Sequence, residues 1–561
     1  MAGPSKNEAI KAESDFLRGS LAQELATPAD HFAERDVQLL KFHGSYQQEN
    51  RDDRAVRKAA GLAKAHDFMI RARIPGGALA PESYLVLDDL AARYGNGTLR
   101  ATTRQGFQLH GILKGNLKAT VRAMNDALLS TLAACGDVNR NVMACPAPLH
   151  DREDAHLTQL ADAIAGHLAP RTRAYHEIWL DGEQVAGPEE EPIYGPTYLP
   201  RKFKIGIAYP PDNCVDVYTQ DIGLAAEVAE GRLAGFTVLV GGGLGMTHNK
   251  PNTYPRAATP LCFAPASEVV QVVETIVKVQ RDHGDRTDRR HARMKYLVEE
   301  RGIAWFRAEV EARLGRALAD PHPLVWDGVD DHLGWHAQTA QTSFLGLYLE
   351  NGRIKDAGEL RLRSGLRAVV ERYQPGIRMT AQQNMLLTGI RNEDRAGVEA
   401  LLASHGIVTR PAELGLRRDA MACPALPTCG LAVAESERAL PGIIADVQED
   451  VVALGLRDER ISIRMTGCPN GCARPYMGDI GLVGRSAGLY DVFVGGDWEN
   501  TRLNALYRQG VKAADLRATI RDLLETWKDG REPGERFGDF FHRTGPDGER
   551  LGLAPALPAT G

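Results

Sequence analysis

"LRATTRQGFQLHGI", residues 99–112, and "IRMTAQQNMLLTGI", residues 377–390, align without a gap. Six of their fourteen positions are identical: Arg100/Arg378, Thr102/Thr380, Gln105/Gln383, Leu109/Leu387, Gly111/Gly389 and Ile112/Ile390. Just upstream, "RYGNGTLR" faces "RYQPGIR". Downstream, "DIGLAAEVAEGRLAGFTVLVGGG" (221–243) is echoed by "DIGLVGRSAGLYDVFVGGD" (479–497). One short echo is common by chance; two in the same order indicate a duplicated chain. The break falls near 321–345, where "PHPLVWDGVDDHLGW" collects Pro, Gly, Asp and Trp.

Each half mixes strand and helix. "FMIRARI" and "GFTVLV" are short, β-branched and partly alternating, as strands are. "ASEVVQVVETIVKVQRDHGD" carries apolar residues at helical spacing. "RTDRRHARMKYLVEERGIAWFRAEVEARLG" reads as a further helical run, capped by Gly315. The class is α+β with sizeable sheets. The polar start, 1–60, shows no core pattern and reads as a solvated arm or as a docking segment for another subunit.

The chain has 561 residues, enough for roughly three or four compact units of about 100–200 residues. A net charge of −6 gives no basic bias of the kind nucleic acid demands. No apolar run approaches the ~20 residues of a membrane span. "MAGPSKNEAIKAESDF" lacks the apolar stretch of a secretory signal. Eight cysteines are too few for a disulfide framework, so a reducing cytoplasm is expected. In that compartment clustered cysteines bind metal or do redox chemistry.

Four cysteines are clustered. "MACPALPTC" (421–429) holds Cys423 and Cys429, and "TGCPNGC" (466–472) holds Cys468 and Cys472. Zinc loops favour C-x2-C knuckles or add histidine, and no histidine lies between Cys423 and Cys472. Four thiolates suit an iron–sulfur cube better. Gly467 and Gly471 would let the backbone fold around it. The spacing alone leaves structural zinc open. Cys135, Cys145, Cys214 and Cys262 are isolated in sequence and read as buried free thiols.

The first half is rich in cations. "IRARIPGG" places Arg71 and Arg73 on one strand face. "LRATTRQGFQLHG" adds Arg100, Arg104, Gln108 and His110. "DVNRN" adds Arg140, and "LPRKFK" adds Arg201, Lys202 and Lys204. Several sit in apolar, strand-like stretches, where a lone cation is costly. A polyanionic cofactor or an oxyanion substrate would partner them, since arginine forks grip carboxylates bidentately. "VGGGLGM" (240–246) misses the dinucleotide fingerprint because Met246 stands at the third glycine. No nicotinamide site is evident, so electrons for any redox chemistry must come from another protein.

Together, "MACPALPTC", "TGCPNGC", "LRATTRQGFQLHG", "NRN" and "LPRKFK" closely resemble the sulfite and nitrite reductases that contain siroheme and a 4Fe–4S cluster. The resemblance runs from "SDFLRGSLAQEL" (14–25) to "FGDF" (537–540). It implies an internally duplicated, pseudo-twofold α+β fold of ferredoxin-like modules plus two larger siroheme/Fe–S modules. The implied segments are an arm at 1–60 that docks a flavoprotein, ferredoxin-like halves at 61–135 and 326–410, a siroheme and substrate domain at 136–325, and a cluster and siroheme domain at 411–561. Cys423, Cys429, Cys468 and Cys472 would ligate the cluster, with Cys472 bridging to the siroheme iron and Asn470 beside the cofactor. Arg71, Arg140, Lys202 and Lys204 would bind the sulfur oxyanion. Arg100, Arg104, Gln108 and His110 would grip siroheme's carboxylates.

The implied reaction is the six-electron reduction of sulfite to sulfide for cysteine biosynthesis, with loss of three oxygens as water. The implied donor is an NADPH-dependent FAD/FMN flavoprotein, with ferredoxin as the alternative. "KFK" favours sulfite over nitrite, because siroheme nitrite reductases tend to carry a Lys and an Asn there. Gly430 and Ala473 depart from the family pattern beside the ligands, not on them. An Fe–S hydro-lyase or a non-enzymatic Fe–S carrier is the reading from another class.

Overall fold

The computed structural model describes residues 3–149, 154–172, 178–180, 183–186 and 191–545. The repeated stretch forms the same hairpin twice. Leu99–Ala101 pairs antiparallel with Phe107–Ile112, setting Leu99 opposite Leu109 and Arg100 opposite Gln108. Gly376–Met379 pairs with Met385–Arg391 in the same register, with Ile377 opposite Leu387 and Arg378 opposite Leu386. The shared threonines build the turns. Thr102 Oγ1 accepts from the backbone N–H of Arg104 and Gly106, at 3.3 and 3.2 Å. Thr380 Oγ1 accepts from Gln382 and Asn384, at 3.2 and 3.1 Å. Identical residues at the turn and apolar residues on one face therefore fix one register in both copies.

The two hairpin sheets exchange a strand. Ala78–Leu79, from the first half, pairs with Gly376–Met379; Arg353–Ile354, from the second, pairs with Leu99–Ala101. Each exchanged strand follows a tight turn that ends on a glycine, Gly77 or Gly352, at positive φ. A side chain at Gly77 would meet the Met379 carbonyl at 2.7 Å, and one at Gly352 would meet the Ala101 carbonyl. Only glycine allows the two backbones to approach so closely.

The second echo builds two five-stranded sheets of one topology. In the first, Met143–Ala144, Ile205–Ala208 and Ile222–Ala229 run parallel, and Arg232–Val240 and Thr259–Pro265 follow antiparallel. In the second, Met421–Ala422, Ile463–Thr466 and Ile480–Ser486 run parallel before Leu489–Val494 and Ala505–Lys512. Ile222 lies opposite Ile205 as Ile480 lies opposite Ile463. The chain divides into two compact units. One comprises 1–243, 258–326 and 330–411, with the two hairpin sheets and the first five-stranded sheet; the other comprises 244–257, 327–329 and the chain from 412, with the second.

Two expectations need correction. The first sixty residues are not a solvated arm. Ile10, Leu17, Leu21, Phe32, Leu39, Leu40 and Phe42 are buried in the core of the first unit. Ser45–Glu49 pairs with His66–Arg71 as the edge strand of a hairpin sheet. The helices here, Lys6–Ala12, Leu21–Ala26 and Glu34–Leu40, span six or seven residues, too short for a legible apolar period. The long run 286–315 is not one helix. It forms Met294–Arg301 and Ile303–Leu314, split at Gly302 with φ +80°, while Gly315 caps the second in the left-handed region.

Candidate functional site

The cysteines lie at the ends of parallel strands and in the loops that follow them. Cys423 follows Met421–Ala422, and its N–H donates to the Met465 carbonyl at 3.2 Å. Cys468 and Cys472 lie in the loop after Ile463–Thr466. Gly467 closes this nest. Its carbonyl accepts from Val433 and Ala434 N–H, its own N–H points at Cys423 Sγ at 3.4 Å, and a side chain there would meet Ala425 Cβ at 2.6 Å. Gly471 has φ +64° and turns the chain between the last two ligands.

The spacing of the thiols decides what they can hold. Tetrahedral zinc, at ~2.3 Å per thiolate, draws its sulfurs to within ~3.8 Å of one another. No trio among Cys423, Cys429, Cys468 and Cys472 lies within 4.8 Å of one another. The nest is too wide for one ion and fits a larger iron–sulfur group. Burial, and then the neighbouring Cys472, push the Cys423 thiol up to about 12 and the Cys468 thiol up to about 11. Thiols raised in this way give up their protons when a cationic group binds them. Asn470 Nδ2 lies 3.5 Å from Cys468 Sγ, a donor of the kind that tunes a cluster. Cys423 and Cys468 are buried and Cys429 half-buried, whereas Cys472 is exposed.

The first unit gathers the cations. The "NRN" and "KFK" segments run side by side: Arg140 N–H donates to the Phe203 carbonyl at 2.9 Å, and Phe203 N–H to Val138 at 3.1 Å. Phe203 is buried, and Lys202 and Lys204, on either side of it, are half-buried. Arg140 and Arg71 both reach the Ala134 carbonyl at 3.5 Å. Arg71 Nη1 also lies 3.0 Å from Cys135 Sγ and the guanidinium lies over the Tyr46 ring at 6.0 Å. Burial, and then Arg289, push the Arg201 guanidinium down to about 10; Arg293 and Arg140 add to the shift, and Asp137 opposes it. Such an excess of positive charge is relieved by an anion.

Around the first hairpin, Arg71 and Gln108 face each other across paired strands, and the Gln108 carboxamide oxygen accepts from Arg71 Nε at 3.0 Å. His110 Nε2 lies 3.3 Å from the same carboxamide. Burial, and then Arg353, Arg100 and Arg71, hold His110 well below the usual imidazole range, so it is neutral. Arg100 is buried and donates to the Asn351 carbonyl at 3.0 Å. Arg104 spends donors on the carbonyls of Asn141 and Ile205, at 3.1 and 3.3 Å, and on Gln220 Oε1.

Arg353 was missed by sequence reasoning. It pairs opposite Arg100 in the exchanged strand and bears on His110. "ENGRI" (350–354) stands in the second half where "PGGAL" (75–79) stands in the first, and that weak echo was the available signal.

The family model described as Nitrite and sulphite reductase 4Fe-4S domain matches residues 160–318 and 417–550. The model described as Nitrite/Sulfite reductase ferredoxin-like half domain matches 62–127 and 336–405. The chain belongs to the nitrite and sulfite reductase family. Within this family, it is 48% identical over 548 residues to a protein named Sulfite reductase (NADPH) hemoprotein beta-component from Geobacillus thermodenitrificans, covering 97% of this chain and 96% of that protein. It is 47% identical over 567 residues to one named Sulfite reductase (ferredoxin) from Synechococcus elongatus, covering 97% and 90%. The solved structure of the Mycobacterium tuberculosis NirA protein has the same fold, with a TM-score of 0.80 and 24% identity over 97% of this chain and 98% of that one. Each matched pair of segments spans one of the two structural echoes. The duplicated α+β architecture and a 4Fe–4S cluster are thus family properties.

Proposed function

We propose that this chain is the hemoprotein subunit of an assimilatory sulfite reductase. It reduces sulfite to sulfide with six electrons at a siroheme coupled to a 4Fe–4S cluster, serving cysteine biosynthesis. The observation that carries this reading is the thiol nest: four cysteines set too wide for one ion, with Cys472 alone exposed. Cys423, Cys429, Cys468 and Cys472 would hold the cluster, and Cys472, the exposed one of the four, would also be the thiolate toward siroheme. Bound together, the two groups supply low-potential electrons one at a time.

The remaining work falls to the chain's own side chains. Arg71, Arg140, Lys202 and Lys204 bind the oxyanion and stabilise its charge. The lysine ammonium groups give protons to departing oxygens, which arginine, with its high pKa, does poorly. Arg100 supplies charge to siroheme's carboxylates. Gln108 and the neutral His110 supply hydrogen bonds, and Arg104 fixes the strands beneath them.

The donor is a separate NADPH-dependent FAD/FMN flavoprotein. Relatives named for NADPH and for ferredoxin stand at 48% and 47% identity, so identity alone does not separate the two donors. The flavoprotein docks on the N-terminal sixty residues, whose surface carries Val56, 72% exposed. Among the described residues no helix is long and apolar enough to cross a membrane, and the reaction belongs in the cytoplasm.

Steady-state turnover of the holoenzyme with reduced methyl viologen tests the reaction. Sulfite should show the higher kcat/KM and yield stoichiometric sulfide; a higher value for nitrite with negligible sulfide overturns the assignment. The same assay driven by flavoprotein and by ferredoxin decides the donor.

A further inference from the structure

Cys145 and Cys214, far apart in sequence and read as buried free thiols, are buried and free, and the fold brings them together. Cys145 and Cys214 come together with Asp212, and the two sulfurs and a carboxylate oxygen lie within 4.8 Å of one another. All three residues are buried, at 1%, 3% and 7% exposure. His332, itself buried, places Nε2 2.9 Å from Asp212 Oδ2. Asp212 Oδ1 accepts from Asp330 N–H at 3.1 Å, which fixes the carboxylate.

The backbone here repeats that of the cluster nest. "MACP" occurs at 143–146 and again at 421–424. Cys145 N–H donates to the Ile207 carbonyl at 3.0 Å, as Cys423 N–H donates to Met465 at 3.2 Å. Counting back from "DIG" at 221–223 and 479–481, Cys214 falls at the position of Cys472 and Asp212 at that of Asn470. Asp216 and Arg474 stand two residues on from those cysteines, both left-handed at φ 52° and 53°, each donating its N–H three residues back.

The difference lies in the spacing. Two thiolates and a carboxylate this close suit one tetrahedral ion, and sulfur ligands select a soft or borderline metal over magnesium or calcium. Two thiolates and one carboxylate leave a single net negative charge on a divalent ion. His332 offsets that charge by donating to Asp212, or completes the ligand set as the fourth donor.

We infer that Cys145, Cys214 and Asp212, with His332, form a buried site for a single divalent cation of the zinc class. The ion ties strand Met143–Ala144 to the loop that follows Ile205–Ala208. Arg140 and Lys204 lie at the other ends of these two segments, so the ion braces the cationic surface without touching it.

Metal analysis of the holoenzyme, incubated with zinc chloride and desalted, tests this. About one zinc per chain is expected beyond the cofactor iron, with ~2 sulfurs at ~2.3 Å and lighter ligands at ~2.0–2.2 Å by zinc-edge X-ray absorption. The Cys145→Ser/Cys214→Ser variant should lose that zinc and keep its siroheme and cluster spectra. Zinc below ~0.1 per chain, zinc retained in the double variant, or a Cys145–Cys214 disulfide in the anaerobically purified protein each overturns the site. Should the double variant fail to fold, Asp212→Asn serves: chelator competition must show zinc held at least ~10-fold more weakly, and unchanged affinity overturns the proposal.

Discussion

In the hairpin 99–112, three of the positions that differ between copies are Arg104, Gln108 and His110; at the same register 377–390 carries Gln382, Leu386 and Thr388. Around the parallel strands the contrast runs the other way. The second copy holds four thiols in a wide nest, while the first holds two thiols, a carboxylate and an imidazole in a narrow one. Hairpin register and turn hydrogen bonds are shared. The halves therefore differ in side chains placed on one scaffold: the cations collect in the first copy and the wide set of four thiols in the second.

The strongest way to break this comparison is to change the same position in both copies. Cys472→Ala should lower viologen-driven sulfite reduction by more than about a thousandfold, equivalent to about 4 kcal/mol, and abolish the coupled magnetic signals of haem and cluster. Cys214→Ser should leave turnover within about twofold and shift only thermal stability and zinc content. A Cys472→Ala protein that is fully loaded and active would end the account of the nest. A smaller contrast is expected between Arg100→Ala and Arg378→Ala. Losing the charge-assisted grip of Arg100 should cut siroheme occupancy by about 10–100-fold. Arg378, which donates to the Pro146 carbonyl at 3.1 Å, should change occupancy by less than about twofold. Pyridine extraction of the haem from both purified variants reads the difference; equal occupancy would mean that the copies share the load.

How much of this could be read from residues alone follows from which contacts are local. The hairpins were legible because register and turn are written within fourteen residues, including Thr102 and Thr380. That Cys423, Cys429, Cys468 and Cys472 come together was legible because each pair sits in one loop. The exchange of Ala78–Leu79 and Arg353–Ile354 was not, since two-residue strands carry no period. The meeting of Cys145 with Cys214 depends on parallel pairing of Met143–Ala144 with Ile205–Ala208, about sixty residues apart. Nor does the charge of a residue reveal how its donors are spent: Arg104 looks like a ligand clamp and is tied to backbone carbonyls. The first sixty residues misled for a related reason, because their polar groups are satisfied by distant partners.

That last point gives the smallest and most local test. Lys11 is 2% exposed and lies 3.7 Å from Asp137 Oδ2, while Arg289 grips both Asp137 oxygens at 2.6 and 2.9 Å. Burial alone would raise the Asp137 carboxyl, but Arg289 and Lys11 outweigh it and hold it well below the usual carboxylate range. A depressed folded value means that the native state binds fewer protons, so the stabilisation is complete above the unfolded value of about 4 and is lost as pH falls toward the folded one. Asp137→Asn leaves Lys11 on Glu8 at 2.5 Å and on the Leu199 carbonyl at 2.7 Å but removes the charge that Arg289 grips, and should cost about 1–2 kcal/mol. The loss should appear as faster amide hydrogen exchange in Lys6–Ala12 and Glu34–Leu40, the helices that this contact and Leu39 pin to the core. Burial lowers the neighbouring Lys41 to about 8, so it is charged below pH 7; with the Asp137 carboxylate ionised as well, the gap in protection between wild type and variant should hold constant from pH 7 to pH 5. A gap that narrows between pH 7 and pH 5 would show Asp137 titrating there, and the account of a carboxylate held ionised by Arg289 and Lys11 would fail.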